Sequence, residues 1–166
     1  MRRSEFISKG VIRLNFMVLF LGIISLFMTS CNRPTETPGE FHSLPHAEWP
    51  YPQQLVFNER GDTILGDVKA VELFLRHSKE YPYANIWLEL SYNSADSVVA
   101  DTFNVVVADE YGKWLGSGAG PLRLLTDTLR LRNMPDADSK FRLRHIMRVE
   151  ILPEIEQVGI KYLTDK

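Results

Sequence analysis

The feature that most constrains the fold of this 166-residue chain is a period of two in its apolar residues beyond residue 53. In the stretch IWLELSY one set of side chains alternates with a second, more polar set: Ile86, Leu88, Leu90 and Tyr92 against Trp87, Glu89 and Ser91. Successive side chains of a β-strand point to opposite faces, so the alternation predicts a strand with one buried and one partly exposed face. An amphipathic helix would need a period near 3.6.

Similar stretches, rich in β-branched and aromatic residues, recur along residues 53–166. They are QQLVFN, DVKAVELFLRHS, ANIWLELSYN, DTFNVVVADE, LRLLTDTLRLR and EQVGIKYL, whereas FRLRHIMRVEIL fits either a strand or a short helix. In VADEYGKWLG the turn-forming residues predict a hairpin with 109–112 in the turn and Trp114 on the returning strand. Short strands with regular turns predict an all-β fold, an antiparallel β-sandwich that is jelly-roll-like, with at most one helical turn.

Residues 1–30 have the layout of an export signal rather than of a folded segment. Four basic residues and one acidic residue precede an apolar run from Leu14 to Met28, and the small residues Thr29 and Ser30 follow it. As a helix this run would reach only about 22 Å, which is short of a hydrocarbon core of ~30 Å. We therefore expect a cleaved signal peptide rather than a permanent membrane span.

Cys31, the single cysteine of the chain, stands at the cleavage boundary. The sequence Met-Thr-Ser-Cys at the end of an apolar run resembles a bacterial lipobox, in which the cysteine sulfur is acylated. Two anchoring groups hold a protein stably on a membrane where one barely does. We expect Cys31 to be lipidated and to attach the mature chain to a membrane. Because there is no second cysteine, an intrachain disulfide is impossible.

The expected mature chain, residues 31–166, is acidic. The whole sequence has 19 Lys and Arg against 21 Asp and Glu, and removal of the signal leaves 15 against 20, a net charge of −5. A chain without a basic field is a poor partner for nucleic acid, and we expect no nucleotide role either. Residues 31–52 contain five prolines and no apolar periodicity, which predicts an extended tether before a sandwich domain at residues 53–166.

Three short motifs invite chemical interpretations that their context does not support. GSGAGP, with Gly116 and Gly118, lacks the helix that must follow a phosphate-binding loop, and it fits a bulge or a crossing between sheets. DADSK, residues 136–140, lacks the glycine and glutamate of a calcium loop. His42 and His46 have no further ligands nearby. We therefore predict no metal, no cofactor and no catalytic residue, and we expect the chain not to be an enzyme.

The aromatic segment RHSKEYPYANIWLEL carries the clearest candidate site. Five of its residues mark a corner between two strands: Tyr81, Pro82, Tyr83, Asn85 and Trp87. We expect the Asn85 amide to cap this corner and the rings, including Trp87 and the later Trp114, to pack on the core. In the alternative interpretation, Tyr81, Tyr83 and Trp114 are exposed at one end of the sandwich and stack on a glycan or grip a partner.

These residues, with several later ones, resemble the gliding-motility lipoprotein H (GldH) family of Bacteroidota. The matching pieces occur in order: Arg76-His77, Tyr81-Pro82-Tyr83, Asn85-Ile86-Trp87, Asp101, the run from Gly112 to Gly118 that includes Trp114 and Gly116, Met147-Arg148, Leu152-Pro153, Ile155 and Val158-Gly159-Ile160. They cover residues 49–162 and the lipoprotein start, and Glu154 departs from the family's usual glycine.

The resemblance implies a non-catalytic lipoprotein of the cell envelope that belongs to the gliding apparatus. Its expected work is to hold or stabilise other envelope proteins of the gliding and secretion machinery, and a glycan-binding envelope module is the alternative. The run NRPTET after Cys31 has no acidic cluster, which favours an outer-membrane anchor facing the periplasm. Arg148 is expected to fix the corner before Leu152-Pro153 through backbone carbonyls or a buried carboxylate such as Asp101, rather than to be a solvated charge.

Overall fold

A computed structural model describes residues 39–64 and 66–165, so Cys31, the expected signal peptide and residues 31–38 of the expected tether lie outside the described chain. The strands are β1 Glu40–Ser43, β2 Glu48–Pro50, β3 Leu55–Phe57, β4 Asp67–Ser78, β5 Asn85–Ser94, β6 Ser97–Val106, β7 Leu122–Arg130, β8 Phe141–His145, β9 Ile151–Pro153 and β10 Ile155–Asp165. A single 3-10 turn, Pro45–Ala47, is the sole helical element within these described ranges.

Eight of the strands form two four-stranded sheets that pack against each other. Their orders are β1-β10-β4-β7 and β3-β8-β5-β6, β2 pairs with β9, and all of the pairs are antiparallel. The core between the sheets contains fully buried side chains from both: Leu73, Leu75 and Ile160 from the first, Leu88, Leu90 and Leu143 from the second. The predicted all-β antiparallel fold is confirmed.

The alternating side chains of β5 point to a buried face and to a more exposed face, as the sequence predicts. Ile86, Leu88, Leu90 and Tyr92 are fully buried, whereas Trp87 is exposed and Glu89 and Ser91 are half-buried. β5 turns into β6 through a two-residue hairpin at Ala95 and Asp96. Both turn residues have positive φ, 47° and 62°, as a type I′ turn requires.

Residues 40–50 belong to the fold, which corrects the expected tether boundary at residue 52. β1 pairs with β10, and Phe41 lies opposite Gly159, where a Cβ would collide with the phenylalanine ring. β1 is a short edge strand of the first sheet. The chain from Glu40 onward is therefore part of the folded domain and not of a tether.

Trp49 in β2 is the clearest reason why this segment is ordered. Its side chain is fully buried, and its indole N–H donates to the carbonyl oxygen of Gln53 at 3.1 Å. The prolines that suggested a tether sit where no ladder N–H is needed: Pro45 begins the 3-10 turn and Pro50 ends a three-residue strand. Burial of the Trp49 ring therefore orders this segment despite its high proline content.

The segment between β6 and β7 crosses from one sheet to the other, as the glycine-rich interpretation predicts. It begins with the expected hairpin: Ala108 pairs with Trp114, and the Asp109 carboxylate accepts the N–H groups of residues 111 and 113 at 3.0 and 2.8 Å. Gly116 then adopts φ +80°, and a Cβ there would collide with the carbonyl oxygen of Leu124. The glycine permits this close backbone approach.

Glu154, where the resemblance places glycine, has a positive φ of 65°. A non-glycine residue is strained in this region, so the turn between β9 and β10 needs compensating contacts. Ser78 provides two of them: its N–H donates to the Glu154 carbonyl oxygen at 3.0 Å, and its hydroxyl donates to the Glu154 carboxylate. The turn keeps its geometry through these bonds.

Candidate functional site

The Tyr81-Pro82-Tyr83 corner joins β4 to β5, with Tyr81 buried, Pro82 exposed and Tyr83 half-buried. Tyr81 is 3% exposed, and its hydroxyl donates to the carbonyl oxygen of Asn85 at 3.1 Å. The Asn85 amide, expected to cap this corner, instead donates to the side-chain oxygen of Asn104 at 2.6 Å on the outer face. The corner is therefore closed by the tyrosine hydroxyl, and burial raises the pKa of Tyr81.

Four rings pack together behind this corner. Tyr81 lies 5.6 Å from Tyr83, 5.7 Å from His77 and 6.5 Å from Trp114, and His77 lies 5.0 Å from Trp114. His77 is fully buried; its Nδ1–H donates to the carbonyl oxygen of Ser78 at 2.8 Å, and desolvation lowers the pKa of its ring. His77 and Tyr81 are buried, and Tyr83 and Trp114 are half-buried. The four rings therefore serve mainly to pack against one another.

A second apolar group is open to solvent at the neighbouring surface. Trp87 is 42% exposed, Tyr51 is 42% exposed and Ile151 is 49% exposed, and the half-buried Met147 and Val149 lie between them. We call these five residues the apolar shelf. Two shallow depressions, of about 680 and 780 Å³, flank Met147 and Val149; Trp87 lines the first, and Tyr51 and Ile151 line the second. The shelf is therefore continuous.

The backbone between β8 and β9 forms the centre of the shelf because it is held at both ends. Ile146 N–H donates to the carbonyl oxygen of Trp87 at 2.9 Å, and Trp87 N–H contacts the Met147 sulfur at 3.3 Å. At the other end Tyr51 N–H donates to the carbonyl oxygen of Glu150 at 2.8 Å. These bonds fix the shelf without regular strand pairing.

His145, at the end of β8, supports the shelf from below. It is fully buried, its Nε2–H donates to the carbonyl oxygen of Trp49 at 2.9 Å, and its ring lies 5.5 Å from Trp49 and 5.6 Å from Tyr51. Desolvation lowers the pKa of this histidine, so its neutral form is the one the fold stabilises.

Arg148 does not form the expected fork. It is exposed, it lines both depressions, and it makes no hydrogen bond or ion pair with any residue that the structure describes. Asp101, its expected acceptor, is instead occupied by the Tyr92 hydroxyl at 2.8 Å and the Arg132 N–H at 2.9 Å. The solvated alternative holds, and Arg148 is a free cation on an apolar surface.

The structure divides the predicted site residues that it describes among four places. Tyr83, Asn85, Trp87 and Arg148 line one depression of the shelf, and Tyr81 and Trp114 lie in the ring cluster beside it. Gly116 and Gly118 belong to the crossing before β7, and Pro82 and Arg76 are exposed, with Arg76 opposite Leu124 and Gln157 in the sheet. The expectation that Trp87 is buried is wrong; Trp114 is half-buried and packs on the core, as expected.

Tyr51, Val149 and Ile151 were not predicted from the sequence as site residues. Tyr51 lay in the expected tether, and the stretch HIMRVEIL fits a strand or a helix, which place its apolar residues on different faces. The indication that the sequence offered was a high density of apolar residues without a regular period. Such a segment fits neither a buried strand nor a solvated loop, which suggests apolar side chains at the surface.

Within residues 39–64 and 66–165 no group of three or more His, Cys, Asp or Glu side chains could hold a metal ion. The acidic turn at 136–140 uses its first aspartate to accept the N–H of Ala95 at 3.0 Å, so it serves the β5–β6 hairpin. Over the same ranges no helix is long and apolar enough to cross a membrane.

Comparison with protein families identifies the family of this chain. The GldH lipoprotein family matches over residues 38–162, which covers the sandwich except for the end of β10, and the chain belongs to this family. Its members are lipoproteins and generally non-catalytic, so membership implies a lipid-anchored envelope protein. A search of curated proteins finds no match.

Among solved structures, the crystal structure of dimeric latent PorU from Porphyromonas gingivalis is similar over 82% of this chain and 14% of that one. The identity is 13% and the TM-score is 0.27. This chain thus spans about one seventh of the length of that protein.

Proposed function

We propose that this protein is a non-catalytic, lipid-anchored lipoprotein that holds other envelope proteins of the gliding and secretion machinery on its apolar shelf. Membership of the GldH lipoprotein family supports the class of protein. The shelf supports the mode of action, because contiguous exposed apolar surface on a folded domain marks an interaction site more often than chance.

The observation that carries the proposal is the juxtaposition of three well-exposed apolar side chains with a cation that has no partner among the described residues. Trp87, Tyr51 and Ile151 are each more than two-fifths exposed, and Arg148 stands between the depressions they line. Tryptophan, tyrosine and arginine are the residues that most often dominate binding energy at interfaces. The partner we infer is an apolar segment of an envelope protein that carries an acidic residue opposite Arg148.

The anchor we infer is acylated Cys31, after removal of residues 1–30. From Cys31 to Glu40, the first strand residue, the chain spans nine residues, which reach at most about 30 Å when fully extended. The sandwich would therefore stay close to its membrane, which we infer to be the outer membrane on its periplasmic side. A partner must then present its binding segment near that membrane.

The glycan-binding alternative has less support. It needs Tyr81, Tyr83 and Trp114 to present their faces to solvent, but Tyr81 is 3% exposed and packs edge-on against Tyr83. A stacking surface for sugars would instead have to be built on Trp87 and Tyr51, the two exposed rings of the shelf.

Site-specific photo-cross-linking in intact envelopes tests the proposal. A photoreactive residue replaces Trp87 in the full-length protein, and the matched control replaces Tyr111, which is 87% exposed at the tip of the 109–112 turn. We expect position 87, and not position 111, to capture components of the gliding and secretion machinery. Arg148→Glu should reduce that capture at least tenfold, since it turns an attraction into a repulsion.

Two results would contradict the proposal: equal capture at positions 87 and 111, or no capture of machinery components at position 87. The anchor has its own test, because an alkyne fatty acid should label the wild-type protein and not Cys31→Ser. An unlabelled wild-type protein would refute the lipidation of Cys31 while leaving the shelf hypothesis to the cross-linking result.

A further inference from the structure

We propose that the free edge of β6 pairs antiparallel with β6 of a second copy of this chain, around a two-fold axis at Thr102, so that two sandwiches share one continuous sheet. This inference concerns self-association and is independent of the apolar shelf. It is drawn from the four edge strands of the two sheets.

The edges differ sharply in how they are protected. β1 has four residues and β3 has three, which is too short to guide another chain. β7 has nine residues but carries Arg123, Asp127 and Arg130, and Ser117 already pairs with Leu124 on it. β6 has ten residues, no lysine, arginine or proline, and a register with β5 that runs without a bulge from Ser97 to Val106.

The backbone of β6 presents hydrogen-bonding groups to its open side. Val107 N–H donates to the carbonyl oxygen of Ala84, and Ser94 and Ser97 close the two-residue hairpin, so the odd-numbered residues of β6 bond to β5. The N–H and C=O groups of the even-numbered residues 98–106 therefore point away from β5. None of these groups has a hydrogen-bond partner within the described ranges 39–64 and 66–165.

Side chains of β6 also remain incompletely covered on the core side. Val99 and Phe103 point inward and pack on the core, yet both are only half-buried, whereas Val105 is fully buried. A neighbouring strand at the open edge would cover the first two. The edge therefore lacks both a backbone partner and part of its apolar cover, which is the combination that favours strand addition.

The sequence of β6 is self-complementary about Thr102, and this argues for a second copy as the occupant. With Thr102 on the axis, Val98 lies opposite Val106 and Ala100 opposite Asn104. Val98 is 68% exposed and Val106 47% exposed, so the two most exposed apolar side chains of the strand would meet across the axis. Cross-strand pairs of β-branched residues of this kind stabilise a sheet.

Charge does not oppose this pairing. Asp101 is the only charged residue of β6, it is 4% exposed, and it is already bonded to Tyr92 and to Arg132 N–H in its own domain. No like charges face each other in the proposed register. An unrelated strand could also add to the edge, but it would have to supply this complementarity independently.

Cysteine cross-linking of the full-length lipoprotein in intact envelopes tests the pairing. Opposed residues of a hydrogen-bonded antiparallel pair lie about 5.5 Å apart, within disulfide range, so Thr102→Cys should form a covalent dimer under mild oxidation. Thr126→Cys is the matched control, an exposed threonine on the edge strand β7, and should stay monomeric, as should the wild-type chain.

The register has its own test. Co-expressed copies carrying Val98→Cys and Val106→Cys should cross-link to each other, whereas Val98→Cys alone should not, because in this register its two copies lie about 27 Å apart. Thr102→Lys should abolish co-purification of two differently tagged copies, since it places two cations on the axis, and Thr126→Lys should leave it intact.

Absence of a Thr102→Cys dimer above the Thr126→Cys background would overturn the inference. Efficient dimerisation of Val98→Cys alone would overturn the register. If Thr102→Cys instead cross-links to a different envelope protein, the edge belongs to a strand of that protein and the second-copy proposal fails. Each outcome is read independently of capture at position 87, so this inference and the proposed function can fail separately.

Discussion

The buried hydroxyl of Tyr92 allows the strength of one polar contact in the sandwich to be worked out. Tyr92 is fully buried; its hydroxyl donates to the Asp101 carboxylate at 2.8 Å and accepts the N–H of Asn133 at 3.2 Å. Burial, together with the neighbouring carboxylate, raises the pKa of Tyr92 to about 12, so the group is a neutral donor at any physiological pH. Tyr92→Phe removes the hydroxyl and leaves the ring in place.

The expected loss follows from these two bonds. A hydrogen bond to a charged acceptor contributes ~1.5–3 kcal/mol, and the longer bond from Asn133 contributes about 0.5–1 kcal/mol. Tyr92→Phe should therefore lower the free energy of unfolding by ~2–4 kcal/mol, or the Tm by about 8–16 °C for a domain of this size. Tyr83→Phe is the control, because the Tyr83 hydroxyl has no hydrogen-bond partner within the described ranges.

A double-mutant cycle isolates the carboxylate. Urea unfolding of the purified lipoprotein in detergent micelles, followed by near-ultraviolet circular dichroism, gives the free energy for wild type, Tyr92→Phe, Asp101→Ala and the double variant. The coupling between the two positions should be ~1.5–3 kcal/mol. A coupling near zero, with Tyr92→Phe costing the same with or without Asp101, would refute the assignment of this bond as a determinant of stability.

Four further expectations concern single positions. Trp49→Ala should cost ~3–5 kcal/mol and Trp87→Ala less than about 1 kcal/mol, because the first ring is fully buried and the second is 42% exposed; equal melting temperatures would contradict this contrast. Arg148→Lys should melt like wild type, since Arg148 has no partner among the described residues, and a loss above about 1 kcal/mol would restore the fork hypothesis. Gly116→Ala should destabilise the domain by at least about 1 kcal/mol, whereas Gly112→Ala, with open space around it, should cost only the strain of its positive φ. His77 and His145 have pKa values lowered by burial, so the unfolded chain takes up protons first as pH falls below about 6.5; the urea midpoint should be constant above that pH and should fall below it, and a midpoint that rises on acidification would contradict the assignment.

The sequence by itself determined the strands and their faces. Period-two alternation is a local property, because it follows from the backbone of a single strand, and so the pattern in β5 correctly sorts Leu88 and Leu90 from Trp87 and Glu89. The hairpin at 109–112 and the crossing with Gly116 were likewise predictable, since turns depend on a few neighbouring residues.

Only the tertiary structure decided which side chains are available to a partner. Trp49 is buried where β2 pairs with β9, a strand from far along the chain, whereas Trp87 lies on the outer face of β5 and is 42% exposed. The lack of a partner for Arg148 among the described residues could not be predicted either, because its expected acceptor Asp101 instead bonds to Tyr92 and Arg132. Exposure depends on what packs against a residue from far along the chain, whereas periodicity depends on its immediate neighbours, so the faces could be predicted and the shelf and the open β6 edge could not.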